Sequence, residues 1–128
     1  MAKSLADFVE EALRNVAETT PAETFSKSSE AEWKVLDVRE PDEFAAGSIP
    51  NAINIPRGFL EVKADLSHPK NDARLADRSQ RIICYCGGGH RSALAAKTLQ
   101  EMGFQDVLSM AGGWSAYEAL GLPIEKKS

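Results

Sequence analysis

At 128 residues the chain has the length of one domain, enough to bury a single core and too short for two. Apolar residues at 43% and charged residues at 27% describe an ordinary globular protein, neither disordered nor fibrous. A formal charge of −4 with scattered Lys and Arg argues against nucleic acid as a partner, and no apolar run approaches the roughly 20 residues that cross a bilayer, so a cytoplasmic protein without a membrane partner is expected.

The first predicted element is a helix, because Leu5, Phe8, Val9, Ala12, Leu13 and Val16 recur at spacings of three and four and line up one apolar stripe. Ser4 with Asp7 is suited to cap it. The stripe must pack on the domain body or on a second copy of the chain, which would make a homodimer through this helix. Residues 1–20 are accordingly read as an N-terminal helical extension and 21–128 as the domain proper. Glu18 to Glu32 is polar, with Pro21 able to open a short helix from its first position.

Trp33 to Val38 reads as a buried strand, Glu40 to Ala46 as a short helix ended by Gly47, and Ala52 to Ile55 as a second short strand between Pro50 and Pro56. A helical stretch from Gly58 to Leu66 and a polar connection through His68, Pro69 and Asn71 lead to Arg81–Tyr85, the most strand-like piece of the chain. From Arg91 to Met102 the positions Leu94, Ala95, Leu99 and Met102 share a helix face, with Gly103 at its end. Asp106 to Met110 is a last strand, and Gly112-Gly113 turn into a helix from Trp114 to Leu120. Strands alternating with helices predict an α/β fold, a parallel sheet covered on both faces, with ligands beyond the carboxyl ends of the strands.

Chemistry concentrates at Cys86-Gly87-Gly88-Gly89-His90-Arg91-Ser92, between a strand end and a helix start. A helix N-terminus offers unpartnered N–H groups and partial positive charge, and three glycines let loop amides curl inward around an anion. A free cysteine titrates near ~8.5, so the positive surroundings of helix amides, Arg91 and His90 are expected to favour the nucleophilic thiolate of Cys86. Cys84, two residues back between Ile83 and Tyr85, reads as core, with a resolving thiol as the alternative. His90 reads equally as a solvated loop residue or a functional one. With only His68 and His90 available, the two cysteines lack the partners of a zinc site, and no metal is expected.

Several stretches together resemble the rhodanese, or thiosulfate sulfurtransferase, superfamily. Val35-Leu36-Asp37-Val38-Arg39-Glu40, Glu43-Phe44 with Gly47, Ile49 and Pro50, and Ala52-Ile53-Asn54-Ile55-Pro56 follow its order. Cys86 to Arg91 fits its CxxGxR loop, and Gly112-Gly113-Trp114 with Gly121-Leu122-Pro123 resembles its close. The resemblance implies a three-layer α/β/α fold around a mainly parallel five-stranded sheet. It also implies a catalytic Cys86 that carries sulfur as a persulfide, with Gly87, Gly88, Gly89, His90 and Arg91 binding substrate. Asp37, Arg39 and Ser92 would support the site, the first two as a charged brace. Donor and acceptor would be thiosulfate or a similar sulfane compound and cyanide, a thiol or a partner protein, with no cofactor beyond the covalent persulfide. Departures are Ser48 and Asn51, and a loop without any large side chain at positions 87 to 89.

Two other classes compete. A phosphatase or arsenate reductase also joins a cysteine, an amide cradle and an arginine, but with one residue more between Cys and Arg than the four present here. A silent binding module would keep the fold without turnover, though such copies usually lose the cysteine.

Overall fold

The computed structural model describes residues 2–126. Among them, five strands form one sheet in the order β1-β5-β4-β2-β3, every pairing parallel: β1 Ala17–Thr19, β2 Trp33–Asp37, β3 Ile53–Asn54, β4 Arg81–Tyr85 and β5 Val107–Met110. Six helices connect them: α1 Leu5–Leu13, α2 Pro21–Lys27, α3 Pro41–Ala46, α4 Leu60–Ala64, α5 His90–Glu101 and α6 Gly113–Ala119. None of these helices is long and apolar enough to cross a membrane.

The alternation of side chains along β4 divides the core. Ile82 and Cys84 point to one face, where Leu36, Leu60, Ala95, Leu99 and Val107 pack, whereas Ile83 and Tyr85 point to the other, against Val35, Met110 and Tyr117. Helices α4 and α5 cover the first face, with α1 packed on α5, and α2 and α6 cover the second. Burial on both sides explains why β4 reads as an unbroken apolar run rather than an alternating one.

Caps set the helix starts. Ser4 and Asp7 form a reciprocal capping box on α1, as the sequence suggested, and Thr20 caps α2 in front of Pro21. Helix α1 stops at Leu13, three residues short of the predicted stripe. Val16 still enters the core, but from the turn that leads into β1. Strand β1 itself was not expected. It is an edge strand whose Ala17 and Glu18 face solvent, and it is held by pairing with Leu108 to Met110 rather than by an apolar pattern of its own. Within α1 itself only Ala12 is buried, and Leu5, Phe8 and Leu13 remain exposed. The predicted stretch from Gly58 begins as a tight 3-10 turn, Arg57–Phe59, before α4.

Candidate active site

Cys86 is the first residue beyond the carboxyl end of β4, and the chain needs only Gly87, Gly88 and Gly89 to bend into α5. Gly89 makes the turn possible: as the residue before the helix it adopts φ 103°, a left-handed conformation that side chains disfavour. The bend turns helix amides onto the sulfur. Gly89 N–H and Ser92 N–H donate to Cys86 Sγ at 3.0 and 3.3 Å, and the thiol donates to Ser92 Oγ at 3.5 Å. The Cys86 residue is 1% exposed, so these donors act away from bulk water.

The start of α6 clamps the loop from the other side. Trp114 N–H donates to the Cys86 carbonyl at 2.7 Å and Ser115 N–H to that of Gly87 at 3.2 Å. This approach requires Gly113, which sits at φ 60° and where a Cβ would lie 2.6 Å from both of those carbonyl oxygens. The ring of Trp114 continues inward, stacked between Tyr85 and Tyr117.

Arg91 lies along the loop, close enough that a Cβ on Gly87 would come within 3.1 Å of its guanidinium. Its charge is already engaged: Nη1 and Nη2 donate to the Glu43 carboxylate on α3 at 3.0 and 3.4 Å. The Arg91 hydrogen bond holds Glu43 below the usual carboxylate range, and the same bond raises Arg91. Glu43 also accepts the Glu40 N–H that opens α3, so one carboxylate serves helix cap and loop together.

Asp37 and Arg39 are buried at the end of β2. Arg39 Nε and Nη2 donate to the Asp37 carboxylate at 3.0 to 3.2 Å and 2.7 Å, and Nη2 also donates to Gly47 O at 2.7 Å. The guanidinium lies 4.7 Å over the Trp114 ring and 5.4 Å over Tyr85. Burial works against its charge, and the Asp37 hydrogen bonds and charge more than offset it, raising Arg39. This pair meets the rings of Tyr85 and Trp114 on either side of the loop and, among the described residues, makes no hydrogen bond to Cys86–Arg91 itself, which fits bracing.

The structure thus brings Cys86, Gly87, Gly89, Arg91 and Ser92 together, leaves Gly88 with open space around it, and leaves His90 exposed. His90 borders a groove of about 580 Å³ whose apolar wall is Leu5, Ala6, Val9 and Leu13 of α1. Cys84 is wholly buried, and burial, then the neighbouring Cys86, pushes its thiol well up. Sequence reasoning did not assign Glu43 or Gly113 to the site. Both were read only within stretches that resemble the family, because the groups they meet in the site lie far away in the chain.

A family model described as the rhodanese-like domain matches residues 20–120. The chain belongs to the rhodanese-like family. Among solved structures, one from Rhodopseudomonas palustris, described as a protein of unknown function and a "possible tyrosine phosphatase", superposes with a TM-score of 0.90 at 33% identity, covering 98% of this chain and 96% of that one. The senescence-associated protein DIN1 of Raphanus sativus is 31% identical over 94% of this chain and 68% of its own length. Thiosulfate sulfurtransferase 16 of Arabidopsis thaliana, a chloroplastic protein, is 36% identical over 70% of this chain and 78% of its own. Other curated relatives are longer, and the chain spans as little as 41% of one of them.

Proposed function

We propose that this chain is a sulfurtransferase that carries sulfur as a persulfide on Cys86, with thiosulfate or a similar sulfane compound as donor. The observation that carries the reading is the pair of N–H groups aimed at a buried sulfur, donors already in place for negative charge on that atom. Relatives named as sulfurtransferases support it. In the first half-reaction the Cys86 thiolate attacks the outer sulfur of thiosulfate, a new S–S bond forms, and the old one breaks with its electron pair leaving on sulfite. The outer sulfur is then held by loop amides, with no side chain at positions 87 to 89 to crowd it. Cyanide, a small thiol or a partner's thiolate attacks that sulfur in the second half-reaction and returns Cys86 as thiolate. Neither step calls for a metal or organic cofactor.

Arg91 meets an anionic donor at the loop's edge, at the cost of loosening its pair with Glu43. His90 and the groove beside it face the acceptor's side. The cytoplasmic address, and a homodimer through the exposed face of α1, belong to the same proposal; fractionation and sedimentation test them.

The name given to the R. palustris structure supports a second reading, phosphate-ester cleavage through a cysteinyl phosphate. Here the amides converge on Sγ itself and Arg91 is tied to Glu43 rather than turned into the cradle, which favours sulfur. Intact mass after incubation with thiosulfate decides: wild type gains one sulfur atom that cyanide removes, and Cys86→Ser gains none. Failure to gain sulfur from thiosulfate or polysulfide, with hydrolysis of para-nitrophenyl phosphate, would replace this reading by the phosphatase one.

A further inference from the structure

Strand β5 carries a buried hydroxyl that the mechanism above leaves unused. Ser109 is 0% exposed, its Oγ lies 2.9 Å from Ser92 Oγ, and among the described residues this is the side chain's one hydrogen-bond partner. Ser92 is equally buried and forms a hub, at 3.5 Å from Cys86 Sγ and 3.2 Å from the Gly89 carbonyl oxygen.

Counting protons fixes the direction of this network. A serine hydroxyl has one hydrogen to give and two lone pairs to receive with. If Ser92 donated to Ser109, the Ser109 hydrogen would be buried with no acceptor among the described residues, which costs the full desolvation of that group. With Ser109 as donor every hydrogen is used. Ser109 O–H and Cys86 S–H both donate to Ser92 Oγ, and Ser92 O–H donates to Gly89 O.

We infer that Ser109 is a positioning residue for the sulfur chemistry: by donating to Ser92 Oγ it leaves the Ser92 hydrogen free to turn from Gly89 O to the Cys86 sulfur whenever that sulfur is anionic. Loss of the Cys86 proton removes one donor from Ser92 Oγ and creates an acceptor beside it, so the rotation follows the change of charge. The Gly89 carbonyl is not orphaned by this turn, because it also accepts the Ala93 N–H at 3.4 Å. The sulfur then receives three hydrogen bonds, from Gly89 N–H, Ser92 N–H and Ser92 O–H, and the Ser109 dipole polarises the last of them. No covalent bond changes and the proton stays on Ser92.

The purpose of the relay rests on the sulfurtransferase reading, but its existence is read without sulfur transfer, through the rate at which iodoacetamide alkylates Cys86. That rate and thiosulfate turnover are measured for wild type, Ser109→Ala, Ser92→Ala and the double variant, with adduct sites located by peptide mass. Ser109→Ala leaves the Ser92 hydrogen in place and removes only its polarisation, about 10–30% of a hydrogen bond to a charged group, which corresponds to roughly a 1.3- to 4.5-fold change. Ser109→Ala is expected to slow alkylation and kcat by about that factor with KM for thiosulfate unchanged, since Ser109 touches no substrate. In the Ser92→Ala background the same change should have no further effect, because the relay has lost its middle member. Ser109→Thr, which keeps the hydroxyl, should restore the wild-type rate. Wild-type rates in Ser109→Ala, or factors that multiply in the double variant, would overturn the inference. A normal alkylation cycle in a protein that takes no sulfur from thiosulfate or polysulfide would instead leave the relay standing and sink the sulfurtransferase reading.

Discussion

Replacing Asp37 by Asn removes one charge from a buried pair while keeping its shape, and the structure sets the scale of the result. Arg39 would retain the Gly47 carbonyl and the faces of Trp114 and Tyr85, yet lose the carboxylate that takes its Nε and Nη2 hydrogens. Leaving a buried guanidinium without its counter-charge costs about 3–5 kcal/mol, against a total stability of about 5–15 kcal/mol for a domain. With an unfolding entropy of about 2.1 cal/mol/K per residue, that corresponds to a melting point lower by roughly 10–20 °C. Urea titration should show a lower midpoint at unchanged slope, and sulfur transfer measured well below the melt should stay within about twofold of wild type. Asp37→Leu combined with Arg39→Met should cost less than Asp37→Asn alone, because no charge is stranded. A loss under about 1 kcal/mol for Asp37→Asn would refute the bracing argument, and a collapse of turnover in folded protein would mean that the pair acts in the chemistry itself.

Other perturbations separate the remaining roles. Glu43→Gln frees Arg91 for an anionic donor and should lower KM for thiosulfate by roughly twofold to fivefold at low ionic strength, an advantage that salt erases. Because the folded pKa of Glu43 is lowered from 4.5, the stability its pair lends is present above that value and lost as pH falls through the depressed one. Both partners are more than a third exposed, so acid titration of wild type against Glu43→Gln should differ by ~0.5 kcal/mol or less. Gly113→Ala drives a Cβ into the Cys86 and Gly87 carbonyls at φ 60° and should cost about 2–4 kcal/mol and most of the turnover, whereas Gly88→Ala, with nothing within 4 Å, should melt like wild type. Cys84→Ser puts a hydroxyl among apolar side chains and should lower stability by about 1–3 kcal/mol while leaving kcat intact, which calorimetry and turnover would read separately.

Where burial pattern and local chemistry agree, the fold was legible before any coordinates. β4 is apolar from Ile82 to Tyr85 because both of its faces are covered, and the cap at Ser4 needs only a residue three positions away. β1 shows the converse. Its Ala-Glu-Thr is exposed at two of three positions, so nothing in its own composition marks a strand, and only the pairing with β5 makes it one. The α1 stripe overran its helix because Val16 keeps the period while the chain has already turned, its N–H reaching Ala12 O at 3.0 Å. The cysteine loop could be read because nucleophile, glycines and helix start are contiguous. Its supports Glu43, Ser109 and Gly113 come from other elements, and no local pattern announces a contact made across the fold.

The clamp on the cysteine loop also orders events during synthesis. A chain emerging amino end first exposes β1 before the other strands, yet among the described residues β1 has no neighbour in the sheet except β5, which comes after all of them. Cys86 likewise appears before the N–H groups of Trp114 and Ser115 that fix its loop. The nascent protein therefore passes through a stage in which its thiol is present but unsheltered and its sheet incomplete on one side. Both are closed by the same stretch, β5 with the start of α6, so the reactive centre and the β1 edge of the sheet set together once that stretch is made.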